Sequence, residues 1–252
     1  MIFPIGDDNS GRVSTPVITY LLVALNVVVF VFVQGLGSNQ QFTYSFSTVP
    51  KEILTGTDVV TSDRTLQDPL TGDRVEMPGL QPTPVSVYLT LLTSMFMHGG
   101  IAHLAGNMLF LWIFGDNVED SMGRGRFIVF YLLCGLLASL SHVFVTAATG
   151  GNTLVPSLGA SGAISGVLSG YLVLHPRRRV RVIMLRMLTD VPAYVAIGLW
   201  FLFQIINGAG LFGSGSQAGG GVAYAAHVGG FLAGLILVKP FASRTRPQRP
   251  AW

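Results

Sequence analysis

Charged residues are scarce in this sequence. Only 11% of its 252 residues are charged, whereas 50% are hydrophobic. Soluble domains carry about 25% charged residues, so this composition excludes an ordinary soluble fold. The mean hydropathy of +0.57 points the same way. We therefore predict a polytopic membrane protein.

Cysteine and membrane-embedded acidic residues are also nearly absent, which narrows the chemistry. Cys134 is the only cysteine, so no disulfide can form within the chain, and we expect a packed thiol. A His-Glu-x-x-His motif, which a zinc intramembrane protease would need, does not occur. An aspartyl intramembrane protease would need two membrane aspartates, but Asp116 and Asp190 both fall at predicted cytoplasmic ends. The sequence predicts no metal site and no cofactor.

Long hydrophobic runs dominate what is present. A helix needs about 20 apolar residues to cross ~30 Å of hydrocarbon. Six segments approach this length, near residues 16 to 36, 101 to 117, 126 to 148, 158 to 174, 191 to 209 and 222 to 240. We predict an all-α fold, a six-transmembrane-helix bundle in one membrane domain. The apolar stretch from 85 to 97 is too short to cross, and we expect an interfacial or re-entrant lead-in.

The distribution of charge predicts the orientation. Eleven of the fifteen basic residues lie in alternate loops or in the C-terminal tail, which the positive-inside rule assigns to the cytoplasm. The net charge of +3 thus reflects topology and does not indicate nucleic acid. The loop from 37 to 85 holds six acids and three bases and is expected outside, where its length favours partial helicity. We expect a cell-membrane protein with both termini cytoplasmic, a frayed tail over residues 1 to 15 and a basic tail over 241 to 252.

Small residues form a stripe between residues 157 and 170. Serine recurs there every fourth residue and so does glycine, so successive helical turns carry small side chains on one face. Such stripes are typical of close helix packing in lipid, and packing alone would explain this one. His227 lies in a second apolar segment, ahead of Gly230 and Gly234. A serine and a histidine that meet inside a membrane are a candidate catalytic pair.

Two more polar residues fall at the same predicted depth. His103 and Asn107 are four residues apart and share a helix face, whereas His98 does not share it. With external loops before the second, fourth and sixth spans, His103, Ser161 and His227 all lie roughly 5 to 10 Å below the outer surface. His227 could then act as a base, with His103 and Asn107 as oxyanion donors. Without a nearby acid, we predict a dyad.

These motifs together resemble the rhomboid family of intramembrane serine proteases. They are Gly159-Ala160-Ser161-Gly162, His103-x-x-x-Asn107, and His227 followed by Gly230 and Gly234. The resemblance covers residues 16 to 240 and implies that Ser161, among the four striped serines, is the nucleophile and His227 the general base. It also implies an oxyanion hole made by His103, Asn107 and the Ser161 amide. Glu119 and Arg124 look like the family's acid and arginine after the second span.

The expected function is cleavage of single-span membrane proteins near the external face. The expected partners are the transmembrane helix of a substrate and the lipid bilayer. The fifth span lacks a glycine stripe, so its Trp200 and Phe203 are predicted to line a lateral substrate gate, and the glycine-rich loop from 208 to 221 a lid. His98 is expected to be a polar anchor and His142 a loop-side polar residue. The alternatives are an inactive relative that binds membrane helices and a small transporter.

Overall fold

The computed structural model of the chain describes residues 2 to 67, 74 to 184, 187 to 209 and 224 to 242. Most of the predicted lid, residues 210 to 221, and the tail from 243 to 252 lie outside these ranges. The described helices and strands are, in chain order, β1 (Ile2–Asp7), α1 (Val17–Val28), α2 (Gln40–Ser45), α3 (Pro50–Thr55), β2 (Arg64–Gln67), β3 (Arg74–Met77), α4 (Thr90–Thr93), α5 (Ile101–Met122), α6 (Arg124–Ala148), α7 (Ser161–Leu174), β4 (Arg179–Met184), β5 (Met187–Pro192), α8 (Ala193–Gly208) and α9 (Tyr224–Phe241).

The fold is predominantly helical, and each of the six predicted spans falls on one apolar helix. By length and composition, α6 and α9 are the helices of the described chain that could cross a membrane unaided, and α5 is a third if it is joined to the bent segment before it. Helix α1 with its π-helical extension Val29–Val33, α7 and α8 are apolar but have only 10 to 17 residues. The predicted fifth span begins too early, since residues 191 and 192 belong to β5.

Helices α6, α7 and α9 form the centre of the bundle. The glycines of α7 allow this packing, because a Cβ at Gly166 would lie 2.6 Å from the Sγ of Cys134 in α6. At Gly170, a Cβ would meet the Phe130 ring at 3.3 Å. Cys134 is fully buried here, which confirms the predicted packed thiol.

The chain bends sharply before α5. Short helical turns from Val87 to Phe96 meet α5 at an angle of 80°, which agrees with a lead-in that does not continue as a straight span. Gln34 holds this bend by clamping the backbone of His98. Its Nε2 donates to the His98 carbonyl at 3.0 Å, and its Oε1 accepts from the His98 amide at 2.9 Å.

The prediction that residues 1 to 15 are frayed is wrong. Strand β1 pairs antiparallel with β4, and β4 pairs with β5, in a three-stranded sheet that the sequence analysis missed. In β4, buried Val180 and Val182 alternate with exposed Arg179 and Arg181, so one face of the sheet packs on the helices. The sheet brings the N-terminus beside the connection between α7 and α8.

Glu119 joins α5 to the start of α1. Its carboxylate accepts hydrogen bonds from the amides of Ile18 and Thr19, at 3.0 and 2.8 Å, and from the Thr19 hydroxyl at 2.8 Å. A negative charge at a helix N-terminus is stabilising, because it complements the helix dipole and unpaired amides. Glu119 is thus bound to the first turn of α1, and Arg124 is exposed at the start of α6.

The long loop between α1 and α4 is partly helical, as its length suggested. It contains α2 and α3, and the antiparallel β2–β3 hairpin follows. Part of this loop packs against the segment that leads into α7, where it supports the site.

Candidate active site

The two residues predicted to form the dyad are in direct contact. Ser161 is the first residue of α7, and His227 lies in the first turn of α9. The Ser161 Oγ is 2.8 Å from the Nε2 of His227, a hydrogen-bond distance. A serine in this position can pass its proton to the imidazole as the oxygen attacks a carbonyl.

Glycine contacts bring the two helices this close. A Cβ at Gly230 would overlap the carbonyl of Gly162, and one at Gly234 would overlap the carbonyl of Gly166. These contacts begin one residue after Ser161 and three residues after His227, so they fix the separation of the pair. The small-residue face predicted from the sequence is confirmed as a helix contact.

The second ring nitrogen of His227 also has a partner. The Oε1 of Gln204, in α8, lies 2.8 Å from the Nδ1 of His227. Gln204 is buried, with 6% of its surface exposed. Gln204 was not among the site residues predicted from the sequence. A glutamine within an apolar helix was the available signal, because a polar side chain in lipid needs a partner.

His103 and Asn107 line the other side of Ser161, around Gly159. Gly159 has φ +122°, and a Cβ there would lie 2.9 Å from the Nε2 of His103 and 3.7 Å from the Nδ2 of Asn107. The Nδ1 of His103 accepts a hydrogen bond from the Gly99 amide at 3.3 Å, so its proton is on Nε2, toward Gly159. The Nδ2 of Asn107 is buried, without an acceptor among the described residues. Two donors therefore face the turn before Ser161.

Backbone hydrogen bonds hold this turn in place. Thr48 and Ser157 exchange amide–carbonyl bonds of 3.0 and 2.8 Å, and the Gly159 amide donates to the Ser94 carbonyl at 2.8 Å. Ala160 precedes α7 without a side-chain cap. Among the described residues no side chain caps these first amides of α7, so they, including that of Ser161, can bind an anion at the positive end of the helix.

A small cavity of about 20 Å³ opens beside the Ser161 hydroxyl. It is lined on one side by α6, at Gly135, Ala138 and Ser139, and on the other by the turn through Leu158. This volume is enough for a water molecule, and hydroxyl groups supply hydrogen-bonding partners.

The family model described as Rhomboid domain matches residues 86 to 244, which is more than half of the chain. The chain belongs to the rhomboid family. Rhomboid domains are polytopic bundles of membrane helices, so the fold class predicted from the sequence is confirmed.

Individual relatives give the same family. The chain is 37% identical over 153 residues to Rhomboid protease GluP of Bacillus subtilis, covering 60% of this chain and 26% of that protein. It is 32% identical over 160 residues to yeast Rhomboid protein 1, mitochondrial, from Saccharomyces cerevisiae (62% of this chain, 43% of that protein). The human Presenilin-associated rhomboid-like protein, mitochondrial, is 31% identical over 174 residues (64% and 43%). The chain thus spans less than half the length of each of these relatives.

The predicted gate residues occupy different positions on α8. The ring of Trp200 lies between the site and α5, with its centroid 6.0 Å from His227 and 6.3 Å from Phe110. Phe203 is 48% exposed and faces outward. A neighbouring aromatic, Phe201, stacks on Phe231 of α9 at 3.9 Å. Of the two predicted gate residues, Trp200 is therefore the one whose ring lies beside His227.

Two further histidines, His98 and His142, lie near the site. His98 is completely buried at the bend before α5, with its ring 5.1 Å from that of His103. His142 was expected on the loop side of the third span, and it lies in the C-terminal part of α6, which continues to Ala148.

A second serine–histidine contact exists at the opposite end of the bundle. The Oγ of Ser121 is 2.9 Å from the Nε2 of His175. The Ser121 hydroxyl donates to the Asn117 carbonyl at 2.9 Å, so its proton points away from the imidazole. Burial, with the charge of nearby Arg178, lowers the pKa of His175 to about 4. Ser121 also sits in the last turn of α5, where helix carbonyls would repel an oxyanion. The Ser121–His175 pair therefore lacks the helix N-terminus found at Ser161, and its serine proton is not directed at the imidazole.

Proposed function

We propose that this rhomboid-family chain is an intramembrane serine endopeptidase with Ser161 as nucleophile and His227 as general base. The observation that carries the proposal is the 2.8 Å contact between Ser161 Oγ and His227 Nε2 at the start of a helix whose first amides are uncapped. The membrane domain would comprise residues 16 to 240. The name of the Bacillus subtilis relative, a rhomboid protease, agrees with this activity.

Acylation would proceed in two steps. As the Ser161 oxygen bonds to the carbonyl carbon of the substrate, its proton passes to the Nε2 of His227, and the carbonyl oxygen becomes an oxyanion. The intermediate then collapses to an ester on Ser161, and the leaving amine takes the proton from His227. Water, activated by the same imidazole, would attack this ester and release the carboxylate product.

The oxyanion would be held by His103, Asn107 and the Ser161 amide. The Nε2–H of His103 and the Nδ2 of Asn107 face the turn at Gly159, beside the nucleophile. Asn107 is already buried with a donor that lacks an acceptor in the described structure, so donating to the oxyanion would require little reorganisation. This mechanism requires no metal or cofactor.

We propose a transmembrane helix of another protein as the substrate, entering from the bilayer past α8. The site is near the N-terminal ends of α5, α7 and α9, whereas the β1–β4–β5 sheet is at the opposite side, with the arginines of β4. The positive-inside rule would put that sheet and the N-terminus in the cytoplasm of a cell-membrane protein. Cleavage would then occur near the external face.

Active-site labelling tests the proposed chemistry. The purified protein in detergent is expected to react with a fluorophosphonate probe, and both Ser161→Ala and His227→Ala should remove the labelling. Ser121→Ala and His175→Ala are matched controls, because they alter a serine–histidine contact of nearly the same length, and they should label like the parent. Labelling that survives Ser161→Ala would show that another residue reacts and would contradict the dyad, whereas an unlabelled parent would favour a protein that binds membrane helices without cleaving them.

A further inference from the structure

Gln204 is a buried polar residue whose position in α8 the dyad mechanism does not explain. Helix α8 is otherwise rich in bulky apolar side chains, and only 6% of the surface of Gln204 is exposed. An amide at such a position is costly unless it makes hydrogen bonds. Its Oε1 makes one with the Nδ1 of His227, at 2.8 Å. The glutamine is thus directed at the ring that accepts the serine proton.

The direction of this hydrogen bond determines the tautomer of His227. An amide oxygen can only accept, so the Nδ1 of His227 must carry a proton. In the neutral ring, Nε2 then has a free lone pair, and this is the atom that lies 2.8 Å from the Ser161 Oγ. With the opposite tautomer, Nε2 would already carry a proton and could not take one from the serine.

We propose that Gln204 is a positioning residue that holds His227 in the tautomer and ring orientation needed for it to act as the base. The proposal rests on the proposed function of the Ser161–His227 pair and adds a third member from a different helix. Gln204 would also remain hydrogen-bonded to the Nδ1–H of the imidazolium formed during acylation. A neutral amide performs this role without placing a carboxylate in lipid, where a buried charge is far more costly.

Substitutions at position 204 separate this role from packing. Gln204→Met keeps the length of the side chain and removes the acceptor, whereas Gln204→Glu keeps an acceptor oxygen. Asn207→Leu is a control on the same helix, because Asn207 is half-buried and, within the described residues, donates to the Phe203 carbonyl of its own helix.

The kinetic test compares cleavage of a membrane substrate and the rate of fluorophosphonate labelling. Gln204→Met should lower kcat by at least about tenfold with KM changed less than about twofold, a part of the ~10²–10⁴-fold that general base catalysis contributes. Gln204→Glu should recover most of the rate, and Asn207→Leu should leave it unchanged. A purely structural role would instead lower the thermal stability of Gln204→Met and leave its labelling rate per folded molecule unaltered. Parent-like kcat and labelling in folded Gln204→Met would overturn the proposal.

A spectroscopic measurement tests the proposal independently of activity. In protein with ¹⁵N-labelled histidine, the His227 signals, assigned by comparison with His227→Ala, should show the proton on Nδ1. Gln204→Met should shift the population toward the Nε2–H tautomer. A parent with Nε2–H at His227 would contradict the positioning role even if the enzyme is active. An inactive parent with Nδ1–H would contradict the proposed protease function and leave the positioning contact in place.

Discussion

Gly230 of α9 lies against the carbonyl oxygen of Gly162 in α7, with no room for a Cβ between them. Gly162 follows Ser161 directly and Gly230 lies three residues after His227, so this contact sets how closely Ser161 and His227 approach. The absence of a side chain at these two glycines therefore largely determines the distance between Ser161 and His227.

Replacing this glycine should separate the pair. Gly230→Ala is expected to destabilise the protein by about 1 to 3 kcal/mol, the usual cost of overpacking, and to lower the fluorophosphonate labelling rate more than about tenfold. Gly125→Ala is the control, because a Cβ there has nothing within 4 Å. It should leave labelling unchanged. Equal labelling rates in the two variants would mean that the helix contact does not position the site.

Asn107 should contribute to turnover more than to substrate binding. Asn107→Ala removes one of the proposed oxyanion donors. Such a donor is typically worth ~3 kcal/mol, so kcat should fall on the order of 10²-fold with little change in KM. Steady-state cleavage of a membrane substrate measures both constants. If kcat were unchanged, Asn107 would not be a donor to the oxyanion.

Asp7 and Asp8, near the N-terminus, should have opposite effects on how the free energy of unfolding depends on pH. Burial chiefly raises the pKa of Asp7 from 3.8 to about 6, although its carboxylate accepts a hydrogen bond from the Tyr171 hydroxyl. Hydrogen bonds from Ser10 lower the pKa of Asp8. A raised carboxyl pKa contributes stability that is present below 3.8 and is lost as the pH rises through 6. A lowered pKa contributes stability above the unfolded value, and acid removes it.

Substitution by asparagine tests these signs. Asp7→Asn resembles the protonated acid, so it should match the parent near pH 4 and be more stable at pH 7, by roughly 2 to 3 kcal/mol. Asp8→Asn should be no more stable than the parent at pH 7, with the difference disappearing in acid. Thermal unfolding in detergent across this pH range is the measurement. A parent-like pH profile in Asp7→Asn would show that Asp7 is not buried against the helices in solution.

Movement of α8 away from α5 should be required for substrate entry but not for small probes. The rings of Trp200 and Phe110 lie 6.3 Å apart across this seam. In a Cys134→Ala background, the substitutions Phe110→Cys and Trp200→Cys introduce two thiols that a short reducible crosslinker can join. Cleavage of a membrane substrate should then fall about tenfold or more and return on reduction, whereas fluorophosphonate labelling should persist.

The same variant without crosslinker controls for the loss of the two rings. If a fully crosslinked enzyme cleaved the membrane substrate at the rate of its reduced form, substrates would enter by another route. Phe203, which faces outward, offers a comparison, since Phe203→Ala should change cleavage less than Trp200→Ala.

Much of the fold could be predicted because apolar length and small-residue spacing are local features of the sequence. Six helices and the close approach of Ser161 to His227 followed from them. The sheet was missed because the arginines of β4 were interpreted as topology signals, although Val180 and Val182 alternate with Arg179 and Arg181 as in a half-buried strand. Gln204 was missed for a different reason: its partner is 23 residues away on another helix, and no local pattern gives that contact.

The central claim is that Ser161 cleaves a peptide bond within the bilayer. The most direct test places the purified protein in liposomes with a single-span substrate and identifies both products by mass spectrometry. The account predicts one cut near the external end of the substrate helix by the parent and by Ser121→Ala, and none by Ser161→Ala. Cleavage by Ser161→Ala at the same bond, or cuts confined to the aqueous part of the substrate, would contradict it.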